Sequence, residues 1–203
     1  MKKIQFLIVA FCLVLSTNIN AKEVISKVMP GVTFQLPDSY NINPQLQEQE
    51  LSKVGGLAPE IYNLMQQSGA KYETYNDPNI GEENKNYLMF TAKQIQQKDY
   101  YEVKDNQVAQ TICGQMIIML KQIYKNKQNI KTHKCYKMKF PKNAKWGLYQ
   151  ELDHPEFQNG RAIYMIYIDK NFNEVSVSVT CEAINCNAMR QAMATMIMSL
   201  KIN

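Results

Sequence analysis

Seven consecutive residues, Ala162 to Ile168, are apolar or aromatic without a break. A β-strand sends alternate side chains to opposite faces, so a strand of this composition has to be covered on both. That excludes a single sheet with one face in water. The following segment behaves differently: Val175, Val177, Val179 and Cys181 alternate with Ser176, Ser178 and Thr180, which gives one apolar and one polar face. With 203 residues, 45% of them hydrophobic, the chain can fill one packed domain but not two large ones. The expected fold class is α+β: a mainly antiparallel sheet with helices on both faces, an α/β/α sandwich, whose C-terminal strand is followed by a closing helix.

The order of elements supports this. Strand patterns at about Lys131 to Phe140, Lys145 to Leu152, Arg161 to Asp169 and Glu174 to Cys181 are separated by turn residues at 141–143, 154–160 and 170–173, the layout of a meander. Upstream, Val32 to Leu36 alternates before a Pro37-Asp38 turn. Tyr72 to Tyr75 and Tyr87 to Ile95 are strand-like on either side of Asn76-Asp77-Pro78-Asn79. Lys22 to Pro30 reads as a short lead-in, and Gln45 to Gln67 has mixed helical character. The clearest helix is Asn106 to Asn126: Val108, Ile112, Met116, Met119, Leu120 and Ile123 share one apolar arc, with Cys113 at its edge. Asp105 or Asn106 can cap it. The closing helix, about Asn187 to Leu200, turns Met189, Met193, Met196, Ile197 and Leu200 to one side. Thioethers can select copper(I), but this spacing is that of a core-facing helix, and methionine is an adaptable core filler.

Residues 1–21 have the order of a secretory signal peptide: Lys2 and Lys3, the apolar run Ile4 to Leu15, and a polar stretch ending at the small residue Ala21. The run is shorter than the roughly 20 residues that cross a bilayer. Phe11 before Cys12 does not fit lipid attachment. The expected organisation is a signal peptide at 1–21 and one α+β domain at 22–203, periplasmic or secreted, with no transmembrane segment in the mature chain.

Cleavage leaves Cys113, Cys135, Cys181 and Cys186. An even count in an exported chain reads as two disulfides, and four cysteines allow three connectivities. Spacing favours 113–135, tying a helix to the next strand, and 181–186, stapling a strand-to-helix corner. The competing reading is a metal site with His133, but no C-x-x-C pair is present and the compartment oxidises thiols.

Two short stretches carry a likeness to a known group. Gly31-Val32-Thr33-Phe34-Gln35-Leu36-Pro37-Asp38-Ser39-Tyr40 opens the domain, and Val175 to Thr180 leads into a helix closing at Met198-Ser199-Leu200. In this the chain resembles the PsbP/DcrB-like α/β/α sandwich proteins, in which an early strand runs into a Leu-Pro-x-x-aromatic turn and a last strand into a helix ending near Ser-Leu. Tyr40 stands where many members have tryptophan, and the four cysteines are not a shared signature. The resemblance implies a binding or assembly-factor role in the cell envelope and supplies no site residues.

Catalytic chemistry finds little support. The chain has two histidines, His133 and His154, and lacks G-x-S-x-G, S-x-x-K, H-E-x-x-H and a glycine-rich phosphate loop. No cofactor is expected. A loop with Glu151, Asp153 and His154 could serve an unrecognised hydrolase or a metal site; a solvated acidic turn with a surface histidine is the plainer reading. Tyr164, Tyr167 and Trp146 could line a small-ligand site or simply fill the core.

Charge is the least ordinary feature. Between positions 121 and 145 stand nine lysines, Lys121, Lys125, Lys127, Lys131, Lys134, Lys137, Lys139, Lys142 and Lys145, and no acid. The rest of the mature chain carries 12 basic against 18 acidic residues. On the strand from Lys131, Cys135, Lys137 and Lys139 should point to one side and Tyr136, Met138 and Phe140 to the other. Two readings stand side by side: lysines guarding a sheet edge, and a contact surface made by Lys131, Lys134, Lys137, Lys139 and Lys142. The second calls for an anionic partner, such as lipid phosphate, an acidic envelope polymer, or another envelope or effector protein in an immunity or assembly role. Export argues against nucleic acid.

Overall fold

The computed structural model describes residues 20–43, 63, 67–82, 85–96, 102–124, 130–138, 144–155, 159–169 and 171–202. The expected signal peptide, up to residue 19, lies outside them. So does the stretch Gln45 to Gln67, apart from Asn63 and Gln67, which are helical.

The strands are β1 (Ala21–Ile25), β2 (Val32–Pro37), β3 (Asn41–Ile42), β4 (Lys71–Asn76), β5 (Tyr87–Gln94), β6 (Thr132–Met138), β7 (Ala144–Asp153), β8 (Gly160–Asp169), β9 (Asn173–Glu182) and β10 (Lys201–Ile202). The helices α1 (Asn106–Ile123) and α2 (Cys186–Ser199) interrupt them. Seven strands pair antiparallel in the order β3-β4-β5-β9-β8-β7-β6, and a second sheet has the order β1-β2-β10. The apolar run lies in β8, flanked by β7 and β9, with Tyr149 opposite Met165 and Met165 opposite Val177.

Both faces of β8 are covered, as its composition requires. On one, Ile163 and Met165 join Val175, Val177 and Val179 of β9 against Met189, Met193 and Met196 of α2 and against Val32, Phe34 and Leu36 of β2. Phe34 sits 5.2 Å from Phe90 and 5.9 Å from Tyr75, ring centre to ring centre. On the other, Ala162 packs with Leu120, and Ile168 with Trp146, Leu148, Ala109 and Cys113. Met189, Met193 and Met196 of α2 are therefore core, burying the apolar stripe of that helix, while Met198 faces outward. Trp146 is core as well, and Tyr164 packs at the edge of the α1 side.

The two ends that carry the family likeness have local reasons. The Tyr40 amide donates to Pro37 O at 2.9 Å, closing the turn, and the Tyr40 hydroxyl is buried against Met189 Sδ at 3.0 Å. Ser199 Oγ accepts from the Gln35 amide at 2.7 Å, next to where β10 pairs with Thr33 and Val32. The serine continues the pairing of β2 for one further residue.

Three expectations change. The short lead-in Lys22 to Pro30 contains a strand: β1 pairs with β2 from Ala21↔Pro37 to Ile25↔Thr33, and Val24 packs on the core. The closing helix is followed by a short strand, β10. The buried face of α1 is rotated: Ala109, Cys113 and Leu120 are buried, Ile112 and Met116 half-buried, and Met119 faces outward. Cys113 sits in the middle of the buried side because its disulfide draws that side against β6. Asp105 caps the helix, its Oδ1 accepting from Val108 N at 2.9 Å.

Candidate functional site

β6 is an outer strand of the seven-stranded sheet, and it collects the acid-free lysine segment. Lys131, just before it, and Lys134, within it, are exposed, as is Lys145 at the start of β7. Lys145 lies over the Phe172 ring, 3.7 Å from its centre. Lys137 is half-buried, its Nζ donating to Lys104 O at 2.8 Å and its amide to Asn106 Oδ1 at 2.8 Å. Lys139 and Lys142 lie outside the described residues.

Alternation along β6 runs as read from the sequence. Cys135 turns to α1, bonded to Cys113, while Tyr136 stacks on Tyr149 at 4.9 Å. Lys134 therefore shares the Tyr136 face and Lys137 the Cys135 face. The lysines do not form one face; they wrap the sheet edge. The Asn106 side chain occupies the outward amide of Lys137, which blunts the edge against strand addition.

The cysteines pair as Cys113–Cys135 and Cys181–Cys186, with Cα separations of 6.4 and 5.1 Å. All four are consumed by these bonds, so the metal reading with His133 loses its thiolates. His133 instead meets Asp153, Nε2 to Oδ1, at 2.7 Å.

Glu151, Asp153 and His154 do not converge. Glu151 is buried, its Oε1 accepting from Arg190 Nη2 of α2 at 2.6 Å and its Oε2 from the Tyr149 hydroxyl at 3.1 Å, with Lys134 Nζ at 3.9 Å. Burial pushes this carboxyl up, but Arg190, the Tyr149 hydroxyl and Lys134 outweigh that and hold it below its ordinary range. Asp153 is placed similarly: burial is outweighed by His133, the Lys131 amide at 3.2 Å and Arg161 at 3.0 Å. His154 turns to the opposite face. It is half-buried rather than a surface histidine, and lines a cavity of about 20 Å³ with Tyr87, Leu120, Tyr124 and Tyr164. That is room for about one water. Two carboxylates neutralised by arginines, with the histidine on the other side of the sheet, make no acid–base pair.

One signal for this network was present in the sequence. Of 23 basic residues only Arg161 and Arg190 are arginines, and both are spent on the two β7 carboxylates. A planar guanidinium suits half-buried carboxylates better than an ammonium does.

His154 carries a pH dependence. Burial lowers its pKa from 6.5 to about 4. The unfolded chain takes up a proton at this position from about pH 6.5 downward and the folded chain does not until about pH 4, so acidification across that window favours unfolding. Glu151 and Asp153, whose folded pKa values are depressed, lose their stabilisation only lower, as pH falls through those values. Urea midpoints measured across this range should fall in two steps. His154→Gln is expected to remove the upper step, on the order of 3 kcal/mol, and leave the lower one.

No family model matches the chain, and no curated protein matches it in sequence. The fold does have a solved counterpart. The solution structure of cyanobacterial PsbP (CyanoP) from Synechocystis sp. PCC 6803 superposes over 91% of this chain and 94% of that one, with a TM-score of 0.59 at 6% identity. The fold is PsbP-like. At that identity the PsbP-like likeness concerns architecture alone, and the basic edge of β6 is argued from this chain's own residues. Two disulfides fit an oxidising, extracytoplasmic setting. Among the described residues no helix is long and apolar enough to cross a membrane.

Proposed function

We propose that this is an exported, non-enzymatic interaction protein of the cell envelope that contacts an acidic protein surface through the basic edge of β6. The observation that carries this is the placement of the acid-free lysine segment: Lys131, Lys134 and Lys145 are exposed along one outer strand and its hairpin. Lys139 and Lys142 stand between β6 and β7 in sequence and are proposed as part of the surface. Lys137 supports it by holding the start of α1. Such a surface steers an acidic partner at low salt, and the attraction weakens as salt screens it. The role is that of an immunity protein for a secreted effector or of an envelope assembly factor.

The test is capture from an envelope fraction with wild-type protein and with Lys131→Glu, Lys134→Glu and Lys145→Glu combined. Capture by the wild type should fall at least tenfold between about 50 and 500 mM salt, and the triple variant should retain almost nothing at low salt. Recovery indifferent to both changes would contradict the proposal. Binding to anionic vesicles in place of protein would redirect it to lipid phosphate.

A further inference from the structure

α1 has 18 residues, which makes a rod of about 27 Å. Ala109, Cys113 and Leu120 hold one side against the sheet. The opposite side is open, and no exposed position on it is charged: it consists of asparagine, glutamine, threonine, glycine, isoleucine and methionine. Solvent-facing helix surfaces are ordinarily charged, and 20% of this chain is. In place of charge, Ile118 is 59% and Met119 38% exposed.

Gly114 lies in the middle of this face. A Cβ built there would meet nothing within 4 Å, so no contact among the described residues requires glycine. A mid-helix glycine is destabilising relative to alanine. A glycine there suits the approach of another backbone from outside. Gln107, Thr111, Gly114 and Ile118 lie along one line of the helix surface, which continues to Lys121.

We infer that α1 is a self-association surface, through which two copies of the chain pair antiparallel and cross at Gly114. An uncharged face gains nothing from an acidic or basic partner, but against its own copy it brings no like charges together. The ends set the direction. Lys121, with Lys125 and Lys127 next in sequence, marks the C-terminal end of α1. Glu102 and Asp105, on either side of Lys104, mark the start. A parallel pair would place the lysine ends side by side. The antiparallel pair sets Lys121 of each copy beside Glu102 and Asp105 of the other and opposes the helix dipoles. Two rods of this length bury on the order of 1,000 Å², the low end for a specific interface. An interface of that size belongs with weak, transient contacts, so the association is expected to depend on concentration.

Sedimentation of the purified protein, with both disulfides intact, from about 1 to 200 µM should show the mass rising reversibly to twice the monomer's. Ile118→Lys and Gly114→Leu should each weaken association at least tenfold with the far-ultraviolet circular dichroism unchanged. Glu102→Lys and Lys121→Glu should each weaken it several-fold, and their combination should restore it. A monomer throughout, or a dimer indifferent to Ile118→Lys and Gly114→Leu, overturns the inference. Failure of the combined charge exchange to restore association overturns the antiparallel register.

Discussion

Glu73→Ala is expected to lower the unfolding free energy by about 3 kcal/mol, because it takes a shared acceptor from two buried hydroxyls and two part-buried amides. Glu73 lies in β4 and is 1% exposed. Its Oε1 accepts from the Lys27 and Val28 amides, the second at 2.9 Å, and from Ser26 Oγ at 3.4 Å; its Oε2 accepts from the Tyr75 hydroxyl. Those amides belong to the β1–β2 connection, so one carboxylate pins the three-stranded sheet to the seven-stranded one. Removing it leaves the buried Ser26 and Tyr75 hydroxyls and the part-buried Lys27 and Val28 amides without this acceptor, and a buried group left unpaired costs about 1–3 kcal/mol. Glu73→Gln keeps one carbonyl oxygen for the amides and should lose about 1 kcal/mol. Urea denaturation of both variants tests this, and a loss below about 0.5 kcal/mol for alanine would mean that the connection is held by other contacts.

The second large effect concerns the disulfides. Cys113→Ala with Cys135→Ala should cost about 3 kcal/mol, and Cys181→Ala with Cys186→Ala about 2 kcal/mol, because the first closes the longer loop in the unfolded chain. The sequence separations are 22 and 5. The first bond also has a structural role: it pulls α1 onto β6, where Cys135 Sγ meets Ala109 O at 3.2 Å and Gln150 Nε2 donates to Cys113 O at 3.3 Å. Hydrogen exchange should therefore quicken along α1 and β6 in the 113–135 variant while α2 stays protected. Equal loosening of both helices would show that the bond acts only on the unfolded chain.

Much of the architecture was legible because its determinants are local or periodic. The unbroken run of β8 required cover on both sides, the alternation of β9 marked one apolar face, and the methionine spacing of α2 marked its core stripe. The cysteine spacings fitted a helix-to-strand tie and a corner staple. What was not legible depends on partners far away in sequence. β3 and β10 are two residues each, too short for any period to show. The orientation of α1 could not follow from its apolar residues, since Ile118 and Met119 face out while Ala109 and Cys113 face in. Glu151 and Arg190 are 39 residues apart, and nothing local distinguished their pairing from a solvated acidic loop. Nor could strand alternation alone say that Lys134 and Lys137 would flank an edge rather than share a flat face, since that depends on β6 being the outermost strand.

The central claim is that the edge of β6 is where the partner sits. A photoreactive residue placed at position 134 tests it most directly, with position 71 as the control, since Lys71 is exposed on β4 near the other side of the sheet. Illumination in intact cells should give one discrete adduct from position 134, lost at high salt, and none from position 71. Adducts from position 71 alone, or equally from both, would contradict the account.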